Sequence, residues 1–377
     1  MHFSGRCGGV PNMMGSVTTQ GVMSEPTSRR KDAHLDLAAS GPVEPEHSST
    51  LLNHVHLVHD ALPDLALSDT DLSATFLGKR LRAPLLVTGM TGGSERAATV
   101  NRDLAWAAEK AGVAFGLGSQ RAMSESPEWT ASYRVREQAP TTIILGNIGL
   151  AQARTLGPKG CRELMERIGA DGLCLHLNPA QELAQPEGDR DFRGGLDAVR
   201  ALAKELGERL IVKETGCGLS PAVARRLVDV GVKALDVSGT GGTSWVRVEA
   251  LRANGHSARL GEEFATWGIP TAAAVASIAK SLNGKATIIA AGGIRTGLDA
   301  AKVLALGADL AGLALPIFRA QQQGGREGAA EEIAHVVDGL ARALLLTGSR
   351  TPSELRAKPR VLEGPLNDWL GALAGVP

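Results

Sequence analysis

Aromatic side chains are scarce in this chain of 377 residues: 5 Trp, 6 Phe and 1 Tyr make up 3% of it. Its core must therefore be filled by aliphatic residues, and a hydrophobic content of 43% is enough to fill one barrel-sized domain or two smaller ones. Net charge is missing too. Lys+Arg and Asp+Glu both number 40, so no field of one sign points to nucleic acid or an anionic membrane, and the one short basic run is Arg29-Arg30-Lys31. Apolar runs such as Ala286 to Ala291 fall far short of the roughly 20 residues a bilayer span needs, so a soluble protein is expected. The four cysteines, Cys7, Cys161, Cys174 and Cys217, have neither Cys-x-x-Cys pairing nor zinc spacing, which fits a reducing cytoplasm. No charged segment followed by an apolar core opens the chain, so no secretory signal is evident. There is no Walker lysine loop and no G-x-G-x-x-G between a strand and a helix, which argues against an ATP or NAD fold as the scaffold.

What the chain does have is glycine, 46 residues of it, at the ends of short apolar runs. Eight such runs follow one another: Pro84 to Met90, Val113 to Ser119, Thr142 to Gly149, Gly172 to Leu177, Leu210 to Glu214, Ala234 to Gly239, Thr287 to Gly293 and Leu310 to Pro316. Alanine-rich helical stretches separate most of them, for example Arg96 to Ala111, Gly195 to Leu206 and Pro221 to Val230. Strands alternating with helices imply parallel pairing through right-handed crossovers, and eight units favour a (β/α)8 TIM barrel over a doubly wound sheet. The barrel is expected over residues 84–350, after an arm and barrel floor over 28–83, with a tail over 351–377. Residues 1–27, rich in Gly, Ser, Thr, Pro and Met without periodicity, read as a disordered extension. Met23 and the residues after it resemble an ordinary protein start, so the first 22 residues are expected to be dispensable. A strand is expected over residues 51–59, where His54, His56 and His59 are read as structural rather than metal-binding, and a hairpin over Phe76 to Arg82. From Gln321 to Pro377 the pattern reads as helix, broken near Gly364 or Pro365.

A barrel gathers its strand ends at one mouth, so the chemistry is sought there. The fourth run ends in His176, Asn178, Gln181 and Glu182, either a solvated loop that caps the next helix or a ligand site. Glu182 is the one fixed negative charge in that cluster and, with the amide oxygen of Asn178, the candidate ligand for a hard divalent cation. Lys213, at the end of a buried strand, is costly unless it faces an anion or an electron-rich ring. Ser238 to Ser244 and Gly292-Gly293 offer backbone N–H groups and hydroxyls to phosphate. Arg30 and Lys31 read as a solvated arm or as an anion clamp folded over the mouth. The connections near 186–195 and 240–270 are long enough to be lids.

Taken together these motifs resemble the type 2 isopentenyl diphosphate isomerases, flavoproteins with an FMN-binding TIM barrel. The matches run in order: Arg30-Lys31 with His34, Met90-Thr91-Gly92-Gly93, Gly118-Ser119-Gln120-Arg121, Asn147-Ile148-Gly149, His176-Leu177-Asn178-Pro179 with Gln181-Glu182, Pro186 to Phe192, Lys213-Glu214, Ser238 to Trp245, and Gly292-Gly293-Ile294-Arg295. They span roughly residues 29–350. The resemblance implies FMN held by Thr88, Gly89, Met90, Thr91, Gly92, Ser119, Asn147, Lys213, Ser238, Thr243, Gly292, Gly293, Arg295, Ala314 and Leu315. It implies a prenyl diphosphate substrate met by Arg30, Lys31, His34, Ser119, Arg121, His176, Asn178 and Gln181. Mg²⁺ would sit with Glu182 and Asn178, and Gln181, Glu182 and Lys213 would be the catalytic group. The implied reaction interconverts isopentenyl and dimethylallyl diphosphate, with reduced FMN as acid and base and NADPH needed only to reduce it. A homo-oligomer, dimer to octamer, is implied as well. The rival reading is an FMN-dependent 2-hydroxy-acid oxidase or dehydrogenase on the same barrel. Such an enzyme needs a His base after the sixth strand, where this chain has Ser238-Gly239-Thr240-Gly241-Gly242-Thr243.

Overall fold

The computed structural model describes residues 1–2 and 27–375. The expectations of a disordered extension and of a dispensable first segment lie almost wholly outside these residues. The described chain begins with helix α1 (Thr27–Ser40), followed by the short strand β1 (Val55–Leu57) and a hairpin of β2 (Ala74–Phe76) and β3 (Lys79–Leu81). The hairpin turns on Leu77 and Gly78, both at positive φ (46° and 73°), as a two-residue turn that matches strand twist requires.

The barrel then alternates β4 (Leu85–Val87), α2 (Glu95–Ala111), β5 (Ala114–Gly116), α3 (Arg121–Glu125), β6 (Ile144–Gly149), α4 (Leu150–Glu166) and β7 (Gly172–His176). It continues with α5 (Pro179–Ala184), α6 (Gly195–Leu206), β8 (Leu210–Lys213), α7 (Pro221–Asp229), β9 (Ala234–Asp236), α8 (Trp245–Arg252), α9 (Gly255–Glu263) and α10 (Thr271–Leu282). It closes with β10 (Thr287–Ala290), α11 (Gly297–Ala305), β11 (Leu310–Leu313) and α12 (Leu315–Leu346), ahead of α13 (Pro352–Ala357), β12 (Arg360–Leu362) and α14 (Pro365–Ala374). Strands β4 to β11 pair in parallel, in chain order, and β11 returns to β4 to shut the cylinder. All eight apolar runs are strands of this barrel. Helix ends follow local chemistry: the Ser94 hydroxyl accepts the Ala97 N–H at the start of α2, and Thr296 and Asp299 exchange hydrogen bonds as a capping box at the start of α11.

Side chains alternate across a strand, so every second residue points into the cylinder. Leu86, Ala114, Leu145, Cys174, Ile211, Ala234, Ile289 and Leu310 form one inner cluster together with Phe76 and Leu81 of the hairpin. The hairpin therefore plugs the amino-terminal end, and the carboxyl end is left for ligands.

Two expectations need correction. The strand at 51–59 shrinks to β1, because Leu52–His54 is a 3-10 turn after Leu51 at φ 58°. The tail is not one helix: α12 starts earlier than expected, ends at Leu346 before Gly348 at positive φ, and is followed by β12, which pairs antiparallel with β1. Neither three-residue strand can be read from its own sequence, since each exists only by pairing with the other. The 240–270 connection holds α8 and α9, both resting against α5.

Candidate active site

Two residues beyond Leu145, Cys174, Ile211 and Ala234, the same alternation places Asn147, His176, Lys213 and Asp236 in the topmost inner layer. Register sets His176 beside Lys213 and Lys213 beside Asp236, while Asn147 pairs with Cys174, one step lower, and reaches His176 with its side chain. The layer is hydrogen-bonded. Asn147 donates its amide to the Leu117 carbonyl (3.0 Å), so its oxygen faces His176 Nδ1 (2.8 Å), which must carry the proton. Burial, with Lys213 and Lys31 adding to it, pushes His176 down to about 3, so the ring is neutral and its Nε2 is a bare acceptor. Lys213 Nζ donates to the Glu214 carbonyl and to Ser238 Oγ (3.3 Å) and lies 3.9 Å from Asp236. Ser238 is left-handed (φ 35°) without being glycine, held there because its N–H and hydroxyl both donate to Asp236 Oδ1 (3.1 and 3.0 Å). Glu214 turns outward, and one of its oxygens accepts the N–H groups of Thr215, Gly216, Cys217 and Gly218, fixing the loop after β8.

A cavity floored by Asn147, His176 and Lys213 opens above this layer. Its cationic wall comes from α1, which lies across the mouth with Arg30, Lys31 and His34 each only 8% exposed. Burial, and Arg30 beside it, bring Lys31 down to about 8. The arm is docked through Asp32, which accepts from Ser94 Oγ (2.6 Å), and Arg30, 3.4 Å from Glu187. The hub behind the cavity is Glu249 of α8, 1% exposed. Its Oε1 accepts from Gln181 (3.1 Å) and Gln185 (2.8 Å) and lies 3.1 Å from His34 Nε2, while Oε2 accepts from Arg252 (2.6 Å). Burial alone would raise this carboxyl, but the His34, Gln181 and Arg252 contacts hold it at about 2. Gln181 is fixed at both ends, since its oxygen accepts from Asn178 Nδ2 (3.2 Å). Asn178 donates to Glu182 Oε1 as well (3.0 Å), so it turns its amide nitrogen, and not its oxygen, toward the carboxylate.

A second cavity adjoins the first, and Gly89, Met90, Lys213, Thr215 and Trp245 line both. Its floor is glycine backbone. Gly292 and Gly293 have φ of +97° and +74°, and a Cβ on Gly292 would lie 2.0 Å from the Gly239 carbonyl oxygen, so the loops after β9 and β10 interlock with no side chain between them. Thr88, Ser238, Thr243, Arg295, Ala314 and Leu315 complete the wall.

All of the expected substrate residues, with Glu182 and Lys213, line the first cavity. Eleven of the fifteen expected cofactor residues line the second, while Ser119 and Asn147 face the first. Thr91 and Gly92 line neither: the Thr91 hydroxyl is buried without a partner, and Gly92 packs so closely on Tyr133 that a Cβ would lie 2.0 Å from its ring. Arg295 is ion-paired with Glu44. The arm is not solvated, as one reading of it had allowed. No group of three His, Cys, Asp or Glu side chains that could hold a metal occurs among the described residues, so a cation at Glu182 would find no cluster of such ligands around it. The residues not anticipated are Glu249, Gln185, Gln152, Thr215, Gly216 and Trp245 as part of the wall. Glu249 stands four residues beyond Trp245 on α8, so the two share a helix face, whereas Gln185 lies just past the end of α5.

Residues 169–362 match the FMN-dependent dehydrogenase family. An isopentenyl-diphosphate delta-isomerase of Methanosarcina barkeri is 45% identical over 354 residues, 93% of this chain and 96% of that protein. Its namesake in Synechococcus is 48% identical over 297 residues, 78% of this chain and 85% of that one. Among solved structures, a mandelate oxidase with (S)-2-phenylpropionate superposes with a TM-score of 0.58 at 17% identity, over 88% of this chain and 90% of the other, which is a likeness of fold. With close relatives along nearly its whole length, the chain belongs to the isopentenyl-diphosphate delta-isomerase family, on the barrel of the FMN-dependent dehydrogenases.

Proposed function

We propose that this chain interconverts isopentenyl and dimethylallyl diphosphate where its two cavities meet. The observation that carries this reading is the junction itself. A cationic, partly buried chamber suited to a diphosphate shares Lys213, Met90, Thr215 and Trp245 with a glycine-floored chamber suited to a flat, phosphate-bearing cofactor. The donor set of the second chamber fits FMN: close-packed backbone at Gly239 and Gly292-Gly293 for the phosphate end, and Lys213 beside the shared wall for the ring. When bound and reduced, FMN supplies an electron-rich face and the proton carriers of an allylic shift.

The chain's own residues do the rest. Arg30, Lys31, Arg121 and Ser119 bind the diphosphate, remote binding energy that orients the alkene. Glu182 would hold Mg²⁺, with the diphosphate supplying further oxygen ligands, as expected where the protein offers one carboxylate. Asn178 holds Glu182 in place and is a Mg²⁺ ligand only if its amide reverses on metal binding. Gln181, a neutral amide, is no base; braced by Glu249 and Asn178, it orients the substrate. Trp245 and Met90 shield the reacting carbons from water, which favours charge development in the transition state. Yellow protein incubated with isopentenyl diphosphate, Mg²⁺ and NADPH should form the dimethylallyl product without stoichiometric loss of NADPH. Product formation that tracks NADPH consumption one for one would refute this.

A further inference from the structure

Helix α5 carries Gln181 and Glu182 but runs only from Pro179 to Ala184, too short to hold itself rigid by its own hydrogen bonds. Its last carbonyls need donors from elsewhere. They come from the loop that follows. Arg190 donates from one guanidinium nitrogen to the Glu182 carbonyl and from the other to the Gln185 carbonyl (2.6 Å), bridging the end of the helix with a planar fork. The loop is pressed against the helix at Gly188, where a Cβ would lie 2.0 Å from the Glu182 carbonyl oxygen. It also reaches the side chain: the Asp189 N–H donates to Glu182 Oε2 (2.8 Å), opposite the Asn178 amide on Oε1. One residue thus has its carbonyl and its carboxylate held by the same three consecutive residues.

We infer that residues 188–190 form a clasp, with Arg190 as a positioning residue, that sets the Glu182 carboxylate for the divalent cation. Arg190 lines neither cavity; it acts through the backbone of Glu182. The inference rests on Glu182 being a ligand of the cation, and its test separates the two claims. Mn²⁺ binding to the holoenzyme with oxidised FMN and isopentenyl diphosphate is followed by electron paramagnetic resonance, beside FMN content and melting temperature. Glu182→Gln should abolish tight Mn²⁺ binding; unchanged binding would remove Glu182 as ligand, and the inference with it. Arg190→Gln and Gly188→Ala should each weaken Mn²⁺ binding about tenfold or more while FMN content stays at the wild-type level, and Arg190→Lys should fall between, because one ammonium nitrogen does not reproduce the planar two-nitrogen fork. Wild-type Mn²⁺ affinity in both Arg190→Gln and Gly188→Ala, with Glu182→Gln impaired, would overturn the clasp alone.

Discussion

At the scale of single residues, the arm's chemistry is set by burial. Lys31 is held down to about 8 by desolvation and by Arg30. A bound diphosphate favours its charged form, so substrate binding above that pH must take up a proton. The sign follows: the substrate KM should be level below pH 8 and rise by up to about tenfold per pH unit above it. Lys31→Arg does not titrate there, so it should flatten that limb. A flat wild-type profile from about pH 7 to about pH 10 would exclude Lys31 as a titrating anion ligand. Glu249→Gln should lower kcat by about 100-fold, because Gln181 loses the carboxylate that orients it, and should leave FMN content unchanged. A normal kcat would show that Gln181 needs no such brace. Of these residues, Arg30, Lys31 and Gln181 stand out in the sequence by motif. Glu249 does not, because what makes it a hub is the closure of α8 over α1 and α5, a contact between segments about 70 to 220 residues apart.

At the scale of elements, the eight strands are legible because each is a short apolar run stopped by glycine or a polar group, and their parallel order follows from the helices between them. What stayed hidden depends on distant partners. Val55 pairs with Leu362, and the hairpin is seen to be a plug only once Phe76 joins Leu145 and Ile211 inside the cylinder. Phe76 is 4% exposed, so Phe76→Ala should destabilise the fold by about 3–5 kcal/mol in denaturant titrations, while the mouth at the opposite end keeps its KM. A loss under about 1 kcal/mol would mean that the hairpin does not seal the barrel. The arm works in the opposite way: Arg30→Ala combined with Lys31→Ala should raise KM by more than tenfold with little change in kcat, the signature of lost uniform binding. An unchanged KM would return α1 to a merely structural cover.

At the scale of the whole molecule, alternation along the strands sorts the barrel interior into an apolar lower layer sealed by the hairpin and a polar upper layer of Asn147, His176, Lys213 and Asp236. Everything above that layer, from the clamp of α1 to the glycine floor, serves two adjoining chambers that meet at Lys213. The central claim is that hydrogen is moved within a prenyl diphosphate with no net oxidation. It is tested most directly by turning over isopentenyl diphosphate in ²H₂O with the reduced FMN enzyme under anaerobic conditions, while product and flavin absorbance are recorded together. The account predicts dimethylallyl diphosphate carrying solvent deuterium, over many turnovers, with the flavin reduced at the end as at the start. Flavin oxidised in proportion to product, or no product from flavin-loaded protein, would contradict it.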